Sequence, residues 1–254
     1  MITYAMLSKV GGRKINEDSV GVSSADSGMF CVLADGLGGH SSGEVASKLA
    51  VDTALRIYKE RMKKSISDEG LKDMLSYCMN GAQNAILDKQ ESQRNIREMK
   101  TTAVMLHIQT SQTTQAKNAA WAHIGDSRLY RFDNSNISDR TLDHSVPQML
   151  ALQGEIEEKD IRNHEDRNRL TRVMGIEWET PKFTISKSVG VTVQTTFLLC
   201  SDGFWELIED EEMCCLLKES KTPEEWLAKM EIVVLKAGEG IKMDNYSAIA
   251  VFVR

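Results

Sequence analysis

Three acidic residues stand where short apolar runs give way to turns. Phe30-Cys31-Val32-Leu33-Ala34 leads into Asp35-Gly36-Leu37-Gly38-Gly39-His40, and Phe197-Leu198-Leu199-Cys200 leads through Ser201 into Asp202-Gly203. Asp244-Asn245 stands just before the last apolar run. Apolar runs of this length, bounded by turn signals, read as buried strands. A carboxylate where such a strand ends, beside glycine backbone, lets a side-chain oxygen and a main-chain carbonyl approach one ion. Hard divalent cations take such oxygen ligands. One Asp-Gly pair alone reads as a turn. Three carboxylates at strand edges are what a metal cluster needs.

The elements that must position these residues follow from periodicity. Residues 2–7, 20–23, 29–34, 101–108, 119–124, 129–132 and 247–253 read as strands, and residues 182–200 return to strands. Ala25 to Gly28, Ser111 to Asn118 and Asp133 to Asn136 read as turns, the last a hairpin. Helical spacing runs over 44–60 through Val45, Leu49, Thr53 and Ile57, and over 68–90 through Leu71, Leu75, Cys78, Met79, Ala82 and Ile86. Two further helices are expected at 206–219 and 223–237, the second opened by Thr222 as N-cap, Pro223 at N1 and Glu225 closing a capping box. Residues 145–172 hold a short helix from Pro147 to Gln153, then Gly154 and a highly charged run. With few large apolar residues they read as a surface excursion more mobile than the core. Strand runs and helix runs are segregated, which indicates α+β layers of antiparallel strands.

The totals narrow the function. The chain has 254 residues and only three prolines, with no linker-like tract, so one domain over 1–254 is expected. A net charge of −6 argues against broad nucleic-acid binding, which needs a basic face. Five cysteines without a C-x-x-C pair fit a reducing compartment better than a disulfide framework. Five scattered histidines suggest no zinc site. No stretch is long enough to span a membrane, and no signal-peptide pattern follows the amino terminus, so the expected location is cytoplasmic.

Taken together, the ordered motifs are more specific. They are Arg13-x-x-x-Glu17-Asp18, Asp35-Gly36-x-Gly38-Gly39-His40, Thr101-Thr102-Ala103, Gly125-Asp126-Ser127-Arg128, Asp143-His144-Ser145, Leu170-Thr171-Arg172-x-x-Gly175, Ser201-Asp202-Gly203 and Asp244-Asn245. This set resembles the metal-dependent protein serine/threonine phosphatases of the protein phosphatase 2C type, most of all their compact bacterial members, from Arg13 to the last strand. The resemblance implies a four-layer sandwich, two packed antiparallel sheets flanked by helices on both sides, with 145–172 as a flap beside the site. It implies two tightly bound Mg2+ or Mn2+ ions and a weaker third. Asp35 would bridge the two ions, Asp202 and Asp244 would hold the first, and the Gly36 carbonyl with Glu17 the second. Asp126 with Asp202 would hold the third, and Arg13 would grip the substrate phosphate. Asp35, Asp202 and Arg13 are thereby the expected catalytic residues.

The expected chemistry is hydrolysis of phosphoserine and phosphothreonine in proteins. A phosphomonoester repels nucleophiles, and two close divalent ions can hold a shared water as hydroxide for in-line attack. A guanidinium matches phosphate oxygens in bidentate fashion. No phospho-enzyme is required. One departure concerns proton delivery: some members carry His directly after the metal-binding Asp-Gly, where this chain has Leu37. A metal-bound water or His40 are the candidates left. Expected partners are phosphorylated proteins and a cognate serine/threonine kinase, with the chain a monomer.

Bland readings stand beside these. Asp126 alone reads as a turn residue, and Asp18 as either a turn residue or a neighbour of the metal ligands. His107 and His123 read as satisfied core histidines, Trp205 as packing, and His144 as fixing the start of the excursion. Two other functions compete. A binding module on the same fold would be expected to lose Asp35, Asp202 or Asp244, and all three are present. A phosphohydrolase for small molecules differs only in its pocket walls.

Overall fold

A computed structural model describes residues 1–25, 28–38, 42–61, 68–92, 98–110 and 117–254. His40 and Gly39 lie outside the described residues, as do Asp26 and Ser27 of the first expected turn and residues 111–116 of the second.

Two antiparallel sheets form the centre. One has five strands in the order β1 (Ile2–Lys9), β12 (Tyr246–Val253), β11 (Thr195–Cys200), β7 (Arg128–Asp133) and β8 (Asn136–Arg140). The other follows the path β10 (Val189–Val191), β6 (Lys117–Ile124), β5 (Ala103–Thr110), β3 (Gly28–Leu37) and β2 (Asp18–Ala25). Short strands β4 (Lys100–Thr101) and β9 (Thr184–Ile185) pair with β3 and β6. Helices α1 (Ser42–Arg61) and α2 (Asp68–Ser92) cover the second sheet, while α5 (Asp210–Lys218) and α6 (Pro223–Ala237) cover the first. This is the expected four-layer α+β sandwich.

Alternation along the strands explains the continuous apolar runs. Phe30, Val32 and Ala34 of β3 pack beneath α1 and α2, while Met29, Cys31 and Leu33 meet the other sheet. In β12, Ala248, Ala250 and Phe252 face the helical side, and Ile249, Val251 and Val253 enter the inter-sheet layer. A strand buried on both faces cannot alternate apolar with polar residues. Cys31 and Cys200 are buried free thiols within these layers.

Four expectations need correction. β3 does not end before Asp35 but runs to Leu37, because Asp18 pairs with Asp35 and Gly36 with Thr101. The helix expected at 206–219 is α5 alone, from Asp210 to Lys218: a short α4 (Asp202–Trp205) precedes it, and 206–209 form a turn in which Ile208 is buried and its carbonyl accepts from Arg162. Thr222 does accept from the Glu225 amide, but the Glu225 carboxylate returns to the Lys221 amide, one residue outside the expected box. His123 is satisfied by the Leu142 carbonyl at 2.8 Å, whereas neither ring nitrogen of His107 has a partner. His107 packs edge-on to Tyr58 in an apolar layer, and burial holds its pKa down at about 4, so the ring stays neutral.

The excursion is anchored at both ends. The Ser145–Leu170 bridge closes it, the Val146 amide donates to Arg169, and the Thr171 amide donates to His144. Its helix α3 (Val146–Gln153) starts on the Ser145 side chain and stops at Gly154 in the left-handed conformation. Next to its base lies a buried ion pair: Arg128 donates to Asp143 through Nε at 2.9 Å and Nη2 at 2.7 Å. Arg128 also lies 3.4 Å over the Trp205 ring. Breaking such a pair leaves one charge buried alone. We expect Asp143→Ala to lower stability by about 3–5 kcal/mol in urea unfolding; a loss under about 1 kcal/mol would show that Arg128 finds another partner.

Candidate active site

The acidic residues converge where the two sheets end on the same edge. β2 opens at Asp18, preceded by Glu17, and the register sets Asp18 opposite Asp35 on β3. Asp126 sits in the turn from β6 to β7, Asp202 follows β11, and Asp244 precedes β12. Arg13, Glu17, Asp35, Gly36, Asp126, Asp202 and Asp244 all line one cleft of about 330 Å3, so every residue expected at the site is brought together. Leu37, Gly38, Asn168, Leu170 and Asn245 complete its walls.

Local structure fixes each group. The Asp35 amide donates to Thr102 Oγ1 at 3.0 Å, and its carbonyl accepts from the Thr102 amide and from Thr101 Oγ1, both at 2.8 Å. Gly36 lies so close to Gly43 and Glu17 that a Cβ there would stand 2.7 Å from the Glu17 carbonyl oxygen. Asp126 follows Gly125, whose φ of 97° is left-handed and suits glycine. The Gly125 amide donates to His144 Nδ1 at 3.2 Å, and the His144 amide returns to the Gly125 carbonyl at 2.9 Å. The Trp205 indole donates to the Asp126 carbonyl at 3.0 Å. Asp202 and Asp244 each accept from the amide of the next residue, at 2.6 and 2.8 Å.

Asn245 has a role that its sequence context did not assign. Its Oδ1 accepts from the Glu17 amide, while its Nδ2 donates to the carbonyls of Val10 and Ile15. One side chain thus closes the loop that carries Arg13 and Glu17. The one clue in the sequence was its place directly after Asp244. Asn168 lies in a charged run without periodicity, which offers no signal. Asp18 is buried, accepts from Ser201 Oγ at 2.9 Å, and has a second oxygen without a partner.

Crowding governs the electrostatics. Burial raises Asp35 well above the usual carboxylate range, and Asp18, Asp202 and Asp126 push it further. Burial and then Asp202 and Asp143 raise Asp126 in the same way. Asp18 is pushed up to about 7 by burial, against hydrogen bonds from Ser247 and Ser201. Burial and Asp244 raise Asp202, while its hydrogen bond with Asp35 and the Gly203 amide oppose them. Burial also raises Glu17, against the pull of Arg13. Arg13 is the cation lining the cleft; it ion-pairs with Asp244, the first cause of its raised pKa.

Among the described residues, no three His, Cys, Asp or Glu side chains already stand in a metal-holding arrangement. Asp244 is turned to Arg13, and Asp35 hydrogen-bonds with Asp202. The donor chemistry nevertheless fits hard divalent cations: the carboxylates and the Gly36 backbone that line the cleft offer oxygen only and are strongly anionic, and Asp18, paired with Asp35 in the sheet behind them, keeps a buried carboxylate oxygen with no partner.

A family model described as protein phosphatase 2C matches residues 8–230. The chain belongs to that family. A serine/threonine phosphatase, stp, of Listeria monocytogenes is 32% identical over 240 residues, covering 94% of this chain and 90% of the relative. The solved structure of the serine/threonine phosphatase Stp1 from Staphylococcus aureus superposes with a TM-score of 0.84 at 26% identity, covering 100% of this chain and 96% of that one. The catalytic domain of the serine threonine protein phosphatase PstP, solved with two manganese ions, superposes with a TM-score of 0.78 at 26% identity, covering 99% of this chain and 97% of that one.

Relieving the crowding should register as stability. Saturating Mn2+, at about 100 times its dissociation constant, adds about 2.7 kcal/mol to the native state, so we expect a clear rise in Tm. Asp35→Asn should raise the Tm in chelator and flatten the response to Mn2+. Asp35 has a raised folded pKa, so its stabilising contribution is present below the ordinary carboxylate pKa and lost as the pH rises. The advantage of Asp35→Asn in chelator should therefore be larger at pH 8 than at pH 5. A Tm in Asp35→Asn that responds to Mn2+ as in the unsubstituted protein would remove Asp35 from the cation site.

Proposed function

We propose that this chain hydrolyses phosphoserine and phosphothreonine in proteins, with two tightly bound Mg2+ or Mn2+ ions and a weaker third. The carrying observation is the convergence of carboxylates from positions 17 to 244 on one cleft with Arg13 at its rim, in a member of the protein phosphatase 2C family. The family relatives named above support serine/threonine phosphatase activity. The whole chain would act as one domain and as a monomer, in the cytoplasm, on the products of a serine/threonine kinase. Among the described residues, no helix is long and apolar enough to cross a membrane.

Bound divalent cations would supply charge neutralisation and a water acidified enough to attack phosphorus. The remaining work falls to the protein. Asp35, whose charge is felt beside Asp18, Asp126 and Asp202, is suited to a bridging position. Asp202 and Asp244 would serve the first ion, and Gly36 and Glu17 the second. Asp244 must leave Arg13 before it can do so, and that exchange frees the guanidinium. Arg13 is about half exposed, which lets it meet an incoming phosphate with its planar fork. No cysteine lines the cleft, in keeping with hydrolysis without a phospho-enzyme.

The direct test is hydrolysis of a phosphothreonine peptide with chelator and with Mn2+. Turnover should be lost in chelator and restored by the ion; full activity after metal stripping would overturn the reading. Asp202→Asn should abolish turnover in a folded protein. Arg13→Ala removes a charge-assisted hydrogen bond worth roughly 1.5–3 kcal/mol, so kcat/KM should fall about 10- to 100-fold, with only partial rescue by Lys.

Asp126 tests the weaker ion and the proton. Leu37 cannot donate a proton; Asp126 and Asp202 would hold the weaker ion, which would supply an acidified water as a proton source for the leaving oxygen, with His40 the other candidate. Asp126→Ala should then slow phosphopeptide turnover sharply but spare an activated aryl phosphate, whose leaving group needs little protonation. Equal losses on both substrates, with metal content measured in parallel, would exclude the proton role.

A further inference from the structure

The largest cavity described is not the acidic cleft. It is a pocket of about 620 Å3 between flap helix α3 and the β6–β9–β10 end of the seven-stranded sheet. Met149 and Leu152 of α3 face it 49% and 66% exposed, and Trp121 and Val189 form apolar wall on the sheet side. Exposed apolar side chains gathered at the mouth of a cavity are the kind of surface that marks interaction sites.

Its charges are the reverse of the chain's. The whole protein carries a net charge of −6, yet Arg172 and Lys187 line this pocket with no carboxylate partner among the described residues. The acidic residues in the lining are Asp143, which Arg128 neutralises from the buried side, and Asp139 at the β8 end. The histidines there add no charge: His123 and His144 stack at 4.6 Å, and burial lowers the pKa of both.

The pocket also shares a wall with the acidic cleft. Asn168 and Leu170 line the cleft, while the next two residues, Thr171 and Arg172, line the pocket. Asp126 lines the cleft, and His144, bonded to the adjoining Gly125 amide, lines the pocket. A polypeptide whose phosphoresidue occupies the cleft can thus place its flanking residues in the pocket by crossing one stretch of chain.

We propose that this pocket docks an acidic, apolar-bearing segment flanking the phosphoresidue of the protein substrate, with Leu152 and Met149 supplying apolar contact and Lys187 and Arg172 the charge. The inference rests on the phosphatase reading and adds a sequence preference to it.

The test uses the full chain, Mn2+ and three substrates: p-nitrophenyl phosphate and two phosphothreonine peptides of equal length, one flanked by alternating Glu and Leu, the other by alternating Lys and Leu. The unsubstituted protein should prefer the acidic flank. Lys187→Glu should lower kcat/KM for that peptide about 5- to 10-fold, as one well-placed contact does, raise it for the basic peptide, and leave p-nitrophenyl phosphate unchanged. Leu152→Asp should weaken the acidic peptide alone. Equal losses on all three substrates would assign the pocket a structural role, and no preference or no change would overturn docking. Fluorescence polarisation with the unphosphorylated acidic peptide separates the two readings. Binding lost in Lys187→Glu supports the dock even if nothing is hydrolysed, whereas hydrolysis of p-nitrophenyl phosphate without peptide binding leaves the phosphatase reading standing and the dock rejected.

Discussion

Repulsion among carboxylates at one edge of the sandwich is the constraint that the rest of the molecule answers. Two like charges 4 Å apart cost about 4 kcal/mol at an effective dielectric of 20, and here burial raises Asp18, Asp35, Asp126 and Asp202 at the junction of two sheets, with Asp202 adding to the rise of the other three and Asp244 to that of Asp202. The inter-sheet layer of Met29, Leu33, Leu106, Phe197, Leu199 and Ile249 opposes any opening of that edge. Each such side chain contributes about 1.5–3 kcal/mol on burial. The edge that carries the acids is therefore held closed by the apolar surface behind it, and divalent cations would convert the repulsion into attraction.

Holding the sheets together is not enough, since the acids sit on turns and strand ends that must not splay. Neutral hydrogen-bonding side chains do this. Asn245 closes the 10–17 loop, Thr101 and Thr102 hold both backbone groups of Asp35, and Ser201 ties Asp18 to the turn before Asp202. Beneath Asp126 the charges are paired instead: Asp143 binds Arg128, Arg128 stacks on Trp205, and Trp205 donates to the Asp126 carbonyl. Neutral groups and one closed ion pair let the cleft keep its negative charge for its ligands. A free cation in the second layer would neutralise the site from behind.

The layers and most of the site are legible in the amino-acid sequence because their signals are local. β3, β11 and β12 carry apolar runs with Asp at or near an end, and α1 and α2 carry clear helical stripes. The extension of β3 through Asp35 is not legible: its partners Asp18, Thr101 and Thr102 are distant in sequence, and Asp-Gly locally favours a turn. The break between α4 and α5 depends on Ile208 burying itself and on Arg162, far upstream, capturing its carbonyl. The same holds for Asn245, whose type is ordinary and whose three bonds all reach across the fold. His107 misleads in the other direction. A histidine in a strand suggests a hydrogen bond, but this one is packed as an aromatic ring against Tyr58.

The segment from Asn168 to Arg172 joins the chemistry to whatever selects substrates. Successive residues of an extended chain point to opposite sides, so a short stretch can present Leu170 to the acidic cleft and Thr171 to the neighbouring pocket, which Arg172 also lines. Its position is set by backbone bonds from Val146 to Arg169 and from Thr171 to His144, and His144 is bonded in turn to Gly125, next to Asp126. A displacement of the segment therefore changes both cavities at once. Separating recognition from charge in this way also solves a chemical problem. An acidic flanking sequence would be repelled from the carboxylate cleft, and the cations that could receive it stand on the far side of the wall, where they leave the cleft's own field intact.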